Sequence, residues 1–163
     1  MSDEVTYGSY LALDELLSLQ EPRSQPEHPD ELLFIVVHQS SELWFKAILH
    51  DIHGLVGAFE ARDGGQALWR LQRINALMRI VSSQLSSLET LPPQHFAQFR
   101  TYLGSSSGAQ SKQFRAIEAA SPDSSAATRA SSSWRMTLNH SSLAWWTTMN
   151  SSSSGCSGCD RGC

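Results

Sequence analysis

Two polar side chains interrupt otherwise apolar helical faces, and they set the chemical question: His38 and Arg100. His38 falls in the stripe Phe34, His38, Ser41, Phe45, where an imidazole is desolvated and held by its neighbours, as a hydrogen bond to a ligand requires. The alternative is a core histidine satisfied by a backbone carbonyl. Arg100 stands one turn after Phe96 and beside Leu103 on an inward face, so its guanidinium either snorkels to solvent or pairs with a carboxylate, a ligand's among them. The loop Gly104-Ser105-Ser106-Ser107-Gly108 precedes a helix and could offer backbone N–H groups to an anion, but it lacks the lysine of a P-loop, and its pattern favours a plain helix–helix link. His50 and His53 lie three apart, as a metal pair would, yet have no partner at i+4 and read as solvated. Glu42 and Lys46 form an ordinary i, i+4 pair, and Tyr7 and Tyr10 share a face that anchors the first helix. All three cysteines crowd the end of the chain as Cys156, Cys159 and Cys163; the first pair has a zinc-type gap but lacks the four ligands and the scaffold of a complete site.

The elements that must position these residues are helices. From Tyr7 to Ala120 no strand-type alternation persists, and Pro and Gly breaks divide the pattern. Ser9 to Gln20 places Tyr10, Leu13, Leu16 and Leu17 at helical spacing, closed by Pro22. A linker from Glu21 to Pro29 holds three prolines, after which Asp30 is placed as N-cap of a helix from about Glu31 to Ala61. Its expected buried stripe is Phe34, His38, Ser41, Phe45, Ile52, Val56 and Phe59. Gly64-Gly65 breaks the chain, and Gln66 to Leu91 repeats Ala67, Leu71, Ile74, Met78, Val81, Leu85 and Leu88 in the three-four spacing of a helix packed along its length. Pro92-Pro93 opens a shorter helix, about Gln94 to Leu103, with Gly104 expected at its C-terminal left-handed helical position, and a last helix runs from about Ala109 to Ala120.

Composition narrows the class. The 163 residues carry a net charge of −4, with 40% hydrophobic positions, enough for one packed domain and without the basic stripe that nucleic acid or an anionic membrane would select. The longest purely apolar run, Leu32 to Val37, is too short to span a bilayer. The N-terminus shows no secretory or transit pattern, so a cytoplasmic protein is expected. After Ala120 the pattern stops: 13 serines fall between positions 121 and 163, beside a Trp145-Trp146 doublet. Residues 1–120 are therefore read as the helical part, and 121–163 as a serine-rich tail, disordered or the product of a shifted reading frame.

Taken together, several stretches resemble the N-terminal half of the tryptophan 2,3-dioxygenase family. They are Tyr7-Gly8-Ser9-Tyr10-Leu11-Ala12-Leu13-Asp14, His28-Pro29-Asp30-Glu31-Leu32-Leu33-Phe34, His38-Gln39-Ser40-Ser41-Glu42-Leu43-Trp44-Phe45-Lys46, and Gly104 to Arg115 with its Ser-Gly-x-Gln-Ser core. The resemblance covers roughly Thr6 to Glu118. It implies an all-α helical bundle of the tryptophan/indoleamine dioxygenase type, here truncated, that uses ferrous haem b and O2 to open the indole C2–C3 bond of L-tryptophan, giving N-formyl-L-kynurenine. By motif position His38 is the distal histidine that hydrogen-bonds the indole N–H, Phe34 is the aromatic wall, and Arg100 pairs with the substrate carboxylate. Tyr7, Tyr10 and Leu11 match residues that reach into a neighbouring subunit of a homotetramer, and Ser106, Ser107 and Gly108 match the segment lining the haem and substrate cavity.

Three departures accompany it. The family's proximal haem histidine and the threonine that helps hold the substrate ammonium lie beyond the matching region; no residue here takes the metal-ligating role, and His140 has no family context. Ala109 stands where the family commonly has phenylalanine, which is expected to loosen packing near the pocket. Phe96 stands where some members place a tyrosine that touches the carboxylate. The implied function is the dioxygenase reaction, with this short chain itself expected to be inactive. The alternatives are a haem-dependent relative acting on another aromatic amino acid, and a non-catalytic helical remnant that associates with complete subunits.

Overall fold

Apolar residues at three-four spacing can be buried only if helices lie against one another, and the computed structural model shows how these do so. It describes residues 4–120; the serine-rich tail, His140 and the three cysteines lie outside the described residues. Six α-helices with short 3-10 segments make up the described part, and no strand occurs among the described residues. The all-α expectation holds.

The first helix differs from the single segment expected. It is split into α1 (Tyr7–Leu11) and α2 (Leu13–Leu17) at Ala12, whose φ of 49° lies in the left-handed region. Thr6 caps α1 reciprocally with Ser9, which stabilises the short turn locally. Tyr7, Tyr10 and Leu17 are nonetheless 77%, 78% and 71% exposed, so this segment covers no core of its own chain.

The linker to α3 (Glu31–Glu60) is pinned by a residue that periodicity alone does not flag. Glu31 is fully buried at the first turn, and its carboxylate accepts hydrogen bonds from the backbone N–H groups of Arg23 and Ser24 and from the Ser24 hydroxyl. Three donors offset the cost of burying the charge. Asp30 occupies the N-cap position as expected, yet its side chain makes no capping bond to α3.

α4 (Gly64–Leu85) runs back along α3. The glycine pair lies inside its first turn, with Asp63 as N-cap accepting from Gln66 N, so the break falls two residues earlier than expected. The helix tightens to a 3-10 turn (Ser86–Thr90) rather than continuing to Leu91. Pro93 opens α5 (Pro93–Arg100), another 3-10 turn follows, and Gly104 turns the chain with φ 56° and ψ −132°, a positive-φ conformation that suits glycine but is not the left-handed helical cap. α6 (Lys112–Ala120) returns across α3.

The core lies between α3, α4 and α6, where Phe45, Ile48, Ile74, Met78, Val81 and Ile117 close over one another. The buried face of α3 is rotated from the expected stripe: Val37, Ser41, Phe45, Ile48, Asp51 and Ala58 are buried, whereas Val56 and Phe59 are exposed. The cause is polar. Asp51 is buried against α4, where it takes hydrogen bonds from Arg70 (2.9 Å) and from Arg73 (2.6 Å to Nε). Arg73 in turn lies 4.0 Å over the Trp69 ring. At 30 residues α3 is long and apolar enough, by length and composition, to cross a membrane, which the apolar-run criterion did not register. Its paired Asp51 and its packing on α4 and α6 account for it as the central helix of a bundle.

Candidate functional site

The N-terminal half of α3, the outer face of α5 and the serine loop enclose a cleft of about 370 Å³. α3 contributes Phe34, Ile35, His38, Gln39 and Glu42; α5 contributes Phe96 and Arg100; Leu103, Ser106, Ser107, Gly108, Gln110 and Ser111 form the rim. The candidates Phe34, His38, Arg100, Ser106, Ser107 and Gly108, up to 74 positions apart in sequence, thus meet at one place.

His38 is poised by its own helix. Its Nδ1 lies 2.6 Å from the Phe34 carbonyl oxygen, and its ring packs on the Phe34 ring at 4.1 Å between centroids. A carbonyl can only accept, so Nδ1 carries the proton and donates, which leaves Nε2 as the acceptor atom of the neutral ring. Burial lowers the His38 pKa from its ordinary 6.5, outweighing the Phe34 carbonyl and the Glu42 charge, which both act upward. At pH 7 the residue is a neutral hydrogen-bond acceptor. Glu42 is kept at the wall by Gln113 of α6, whose amide donates to its carboxylate at 2.8 Å and to its backbone carbonyl at 2.9 Å. The expected Glu42–Lys46 pair gives way to this tertiary contact, since a fixed amide donor costs less side-chain freedom than a solvated lysine.

Arg100 takes neither course expected of it in full. It donates to the carbonyls of Gly104 (2.8 Å) and Ser106 (3.4 Å), and among the described residues no carboxylate pairs with it. Carbonyl dipoles satisfy donors without neutralising the charge, so the guanidinium keeps its attraction for an anionic ligand at the cleft rim. The aromatic floor is shared: Phe34, Phe96 and Phe99 lie 5.4–5.6 Å apart, and Phe99 is fully buried beneath the other two.

The serine loop is the helix–helix link that its pattern favours rather than an anion cradle. Ser106 N donates to Leu103 O, Ser107 N to the Gln110 side chain, Ala109 N to Ser107 Oγ, and Gln110 N to Ser107 O. With these donors engaged within the loop, it serves as a shaped rim. Arg115 of α6 holds it from outside, giving two hydrogen bonds to the Ala109 carbonyl at 3.0 and 2.7 Å. The Ala109 side chain is exposed and lines no part of the cleft. Tyr7, Tyr10 and Leu11 do not line the cleft of their own chain either.

Sequence reasoning missed Ile35, Gln39, Glu42, Gln110 and Ser111 as lining residues. Glu42 follows His38 by four positions, a spacing that already places it on the same side of the helix, whereas Gln39, one position on, lies on the flank. Nothing in the local sequence marks Arg115, whose role depends on how α6 returns.

Comparisons with known proteins identify the family. The family described as tryptophan 2,3-dioxygenase matches residues 1–150. The tryptophan 2,3-dioxygenase of Kineococcus radiotolerans is 51% identical over 115 residues, covering 71% of this chain and 40% of the relative. That of Rhodococcus jostii is 48% identical over 117 residues (72% and 41%), and that of Anaeromyxobacter sp. strain K is 52% identical over 118 (72% and 44%). The chain thus spans about two fifths of the length of these relatives. A family match over residues 1–150, with about half-identity to these relatives over 115–118 residues, leaves one conclusion: this chain belongs to the tryptophan 2,3-dioxygenase family.

Proposed function

We propose that this chain supplies the substrate-binding half of a haem-dependent dioxygenase that adds both atoms of O2 across the indole C2–C3 bond of L-tryptophan, giving N-formyl-L-kynurenine. The supporting observation is the cleft itself, which sets a neutral His38 and an Arg100 unpaired with any described carboxylate around an aromatic floor. An aromatic α-amino acid is complementary to it: the indole packs on Phe34 and Phe96, its N–H donates to His38 Nε2, and its carboxylate meets Arg100. Holding both ends of the substrate fixes the ring face, the kind of orientation on which a bimolecular reaction gains most.

The haem itself does not fit the described donors alone. Among the residues lining the cleft His38 is the one imidazole, its Nδ1 is committed to Phe34, and no thiolate or phenolate joins it. The axial ligand has to come from outside the residues that line the cleft, so the steps assigned to them are binding, orientation and exclusion of water. The 163-residue chain alone is accordingly proposed to be inactive. Assembly belongs to the same reading: exposed Tyr7, Tyr10 and Leu11 would complete a neighbour's cleft in a homo-oligomer, a tetramer by resemblance, in the cytoplasm.

Calorimetric titration tests the substrate assignment. L-Tryptophan is expected to bind more tightly than 1-methyl-L-tryptophan or tryptamine, by about tenfold for the lost N–H bond and by more for the lost carboxylate. Equal affinities for all three would overturn it. L-Phenylalanine binding as well as tryptophan would favour another aromatic substrate. A haem titration of the isolated chain is expected to give no saturable histidine-ligated Soret band.

A further inference from the structure

A second group of chemistry-bearing side chains lies behind the cleft, at the junction of three segments. His28 ends the linker, Asp30 sits at the N-cap of α3, and His95 lies in the first turn of α5; one ligand atom from each falls within 4.8 Å of the others. His95 Nδ1 is 2.7 Å from Asp30 Oδ2, and the His28 and His95 rings meet edge to face at 5.3 Å. The Asp30 carboxylate is directed away from the N–H groups that an N-cap aspartate ordinarily accepts from, and across to α5. His28 is fixed from behind: its backbone N–H donates to the buried Ser24 hydroxyl at 2.8 Å, and its ring packs against Phe99 at 5.4 Å.

From this geometry we infer that His28, Asp30 and His95 form a binding site for a divalent transition-metal ion, independent of the reaction assigned to the cleft. Two imidazole nitrogens and one carboxylate oxygen are the donor set of zinc or cobalt; magnesium and calcium select all-oxygen cages. Zinc bonds of about 2.0–2.2 Å in a tetrahedron place ligands about 3.4 Å apart, so atoms as far as 4.8 Å apart close by about 1.4 Å, and a pair as near as His95 Nδ1 and Asp30 Oδ2 opens by about 0.7 Å. Side-chain rotation supplies that closure, since His95 and Asp30 are 43% and 34% exposed. The same exposure leaves the fourth position to water. The ion replaces the His95–Asp30 hydrogen bond and the weak 3.2 Å bond from Asp30 N to His28 Nδ1.

The placement gives the ion a structural consequence. Asp30 lies one turn before Phe34 on α3, and His95 immediately precedes Phe96 on α5, one turn and a half before Arg100. A cation held by both locks the register of the two helices that carry His38 and Arg100. Unlike His50 and His53, which share one helix, these three ligands join parts of the chain far apart in sequence, so metal binding is coupled to tertiary structure.

The test is a Co2+ titration of the full chain carrying Cys156→Ser, Cys159→Ser and Cys163→Ser, so that thiolates do not compete, read by the visible absorption of the bound ion. One site with nitrogen and oxygen ligands is expected, together with a rise in unfolding temperature that saturates with Zn2+. His95→Ala and Asp30→Asn should each weaken this site by about a hundredfold or more, with His53→Ala leaving it unchanged. Asp30→Asn preserves the shape of the junction, so it decides the question even if His95→Ala loosens α5. Metal affinity indifferent to both substitutions would show that the cluster is an ion pair only.

Discussion

α3 meets its neighbours in two different ways, and the contrast separates what holds this chain together from what it can bind. Along the seam with α4 and α6, Phe45, Ile48, Ile74, Met78 and Ile117 are buried, and the buried charge there, Asp51, is answered by two arginines. Toward the N-terminal half the same helix faces the cleft, where His38, Gln39 and Glu42 are half-buried and Arg100 keeps an uncompensated charge. The seam derives stability from closure, whereas the cleft presents a half-buried imidazole and a guanidinium that no described carboxylate neutralises.

The largest effect should come from opening the seam. Ile48 is fully buried, so Ile48→Ala removes apolar contact and leaves a cavity, and is expected to destabilise the chain by about 3–4 kcal/mol, measured by urea denaturation. Asp51→Ala should cost less, about 2 kcal/mol, because Arg70 and Arg73 can turn to water once their partner is gone. A substitution on the cleft side should leave global stability nearly intact. Arg100→Ala removes two donors from exposed carbonyls, so about 1 kcal/mol or less is expected, while amide exchange in residues 104–110 accelerates and carboxylate ligands lose affinity. If Arg100→Ala unfolded the chain as Ile48→Ala does, the division between seam and cleft would fail.

The titration of His38 sharpens the same division. Burial holds its folded pKa below the ordinary 6.5, so the unfolded chain binds a proton that the folded chain resists. The resulting contribution is fully present above pH 6.5 and is lost as pH falls toward the folded pKa. Stability compared between pH 7.5 and 5.5 should therefore fall more in the parent chain than in His38→Gln. An identical pH dependence in the two would show that His38 is as hydrated as a surface histidine.

How much of this was legible in the sequence follows the same line. The seam was readable where both partners are on the chain: of the set Ala67, Leu71, Ile74, Met78, Val81, Leu85 and Leu88, all but Leu71 and Leu85 are buried and those two are half-buried, with Leu88 in the 3-10 turn that follows α4. The α3 stripe was misplaced because periodicity treats Asp51 as polar and therefore outward, and it cannot see the two arginines that invert that rule. The break at Ala12 escaped notice because alanine is the best helix former and carries no turn signal; its left-handed φ comes from how α1 and α2 meet. For the cleft, His38 and Arg100 were visible as polar interruptions, and the resemblance named their roles. The residues that position them, Gln113 on Glu42 and Arg115 on Ala109, act across distances that local pattern does not carry.

The smallest effect is expected where the seam itself is tightest. Gly54 on α3 faces the Arg70 guanidinium so closely that an added Cβ would stand 2.2 Å from Cζ. Gly54→Ala therefore displaces Arg70 from Asp51, leaving Arg73 as the remaining partner. Against this loss of an outer ion-pair bond, alanine lowers the conformational cost of the helix by about 1 kcal/mol, so the two effects nearly cancel. Because Arg70 is a flexible chain rather than backbone, it can yield without moving α4. A net change within about 0.5 kcal/mol is expected, and adding Arg70→Ala to Gly54→Ala should then cost almost nothing more. A large loss for Gly54→Ala would mean that Arg70 is as rigidly built into the seam as Ile48.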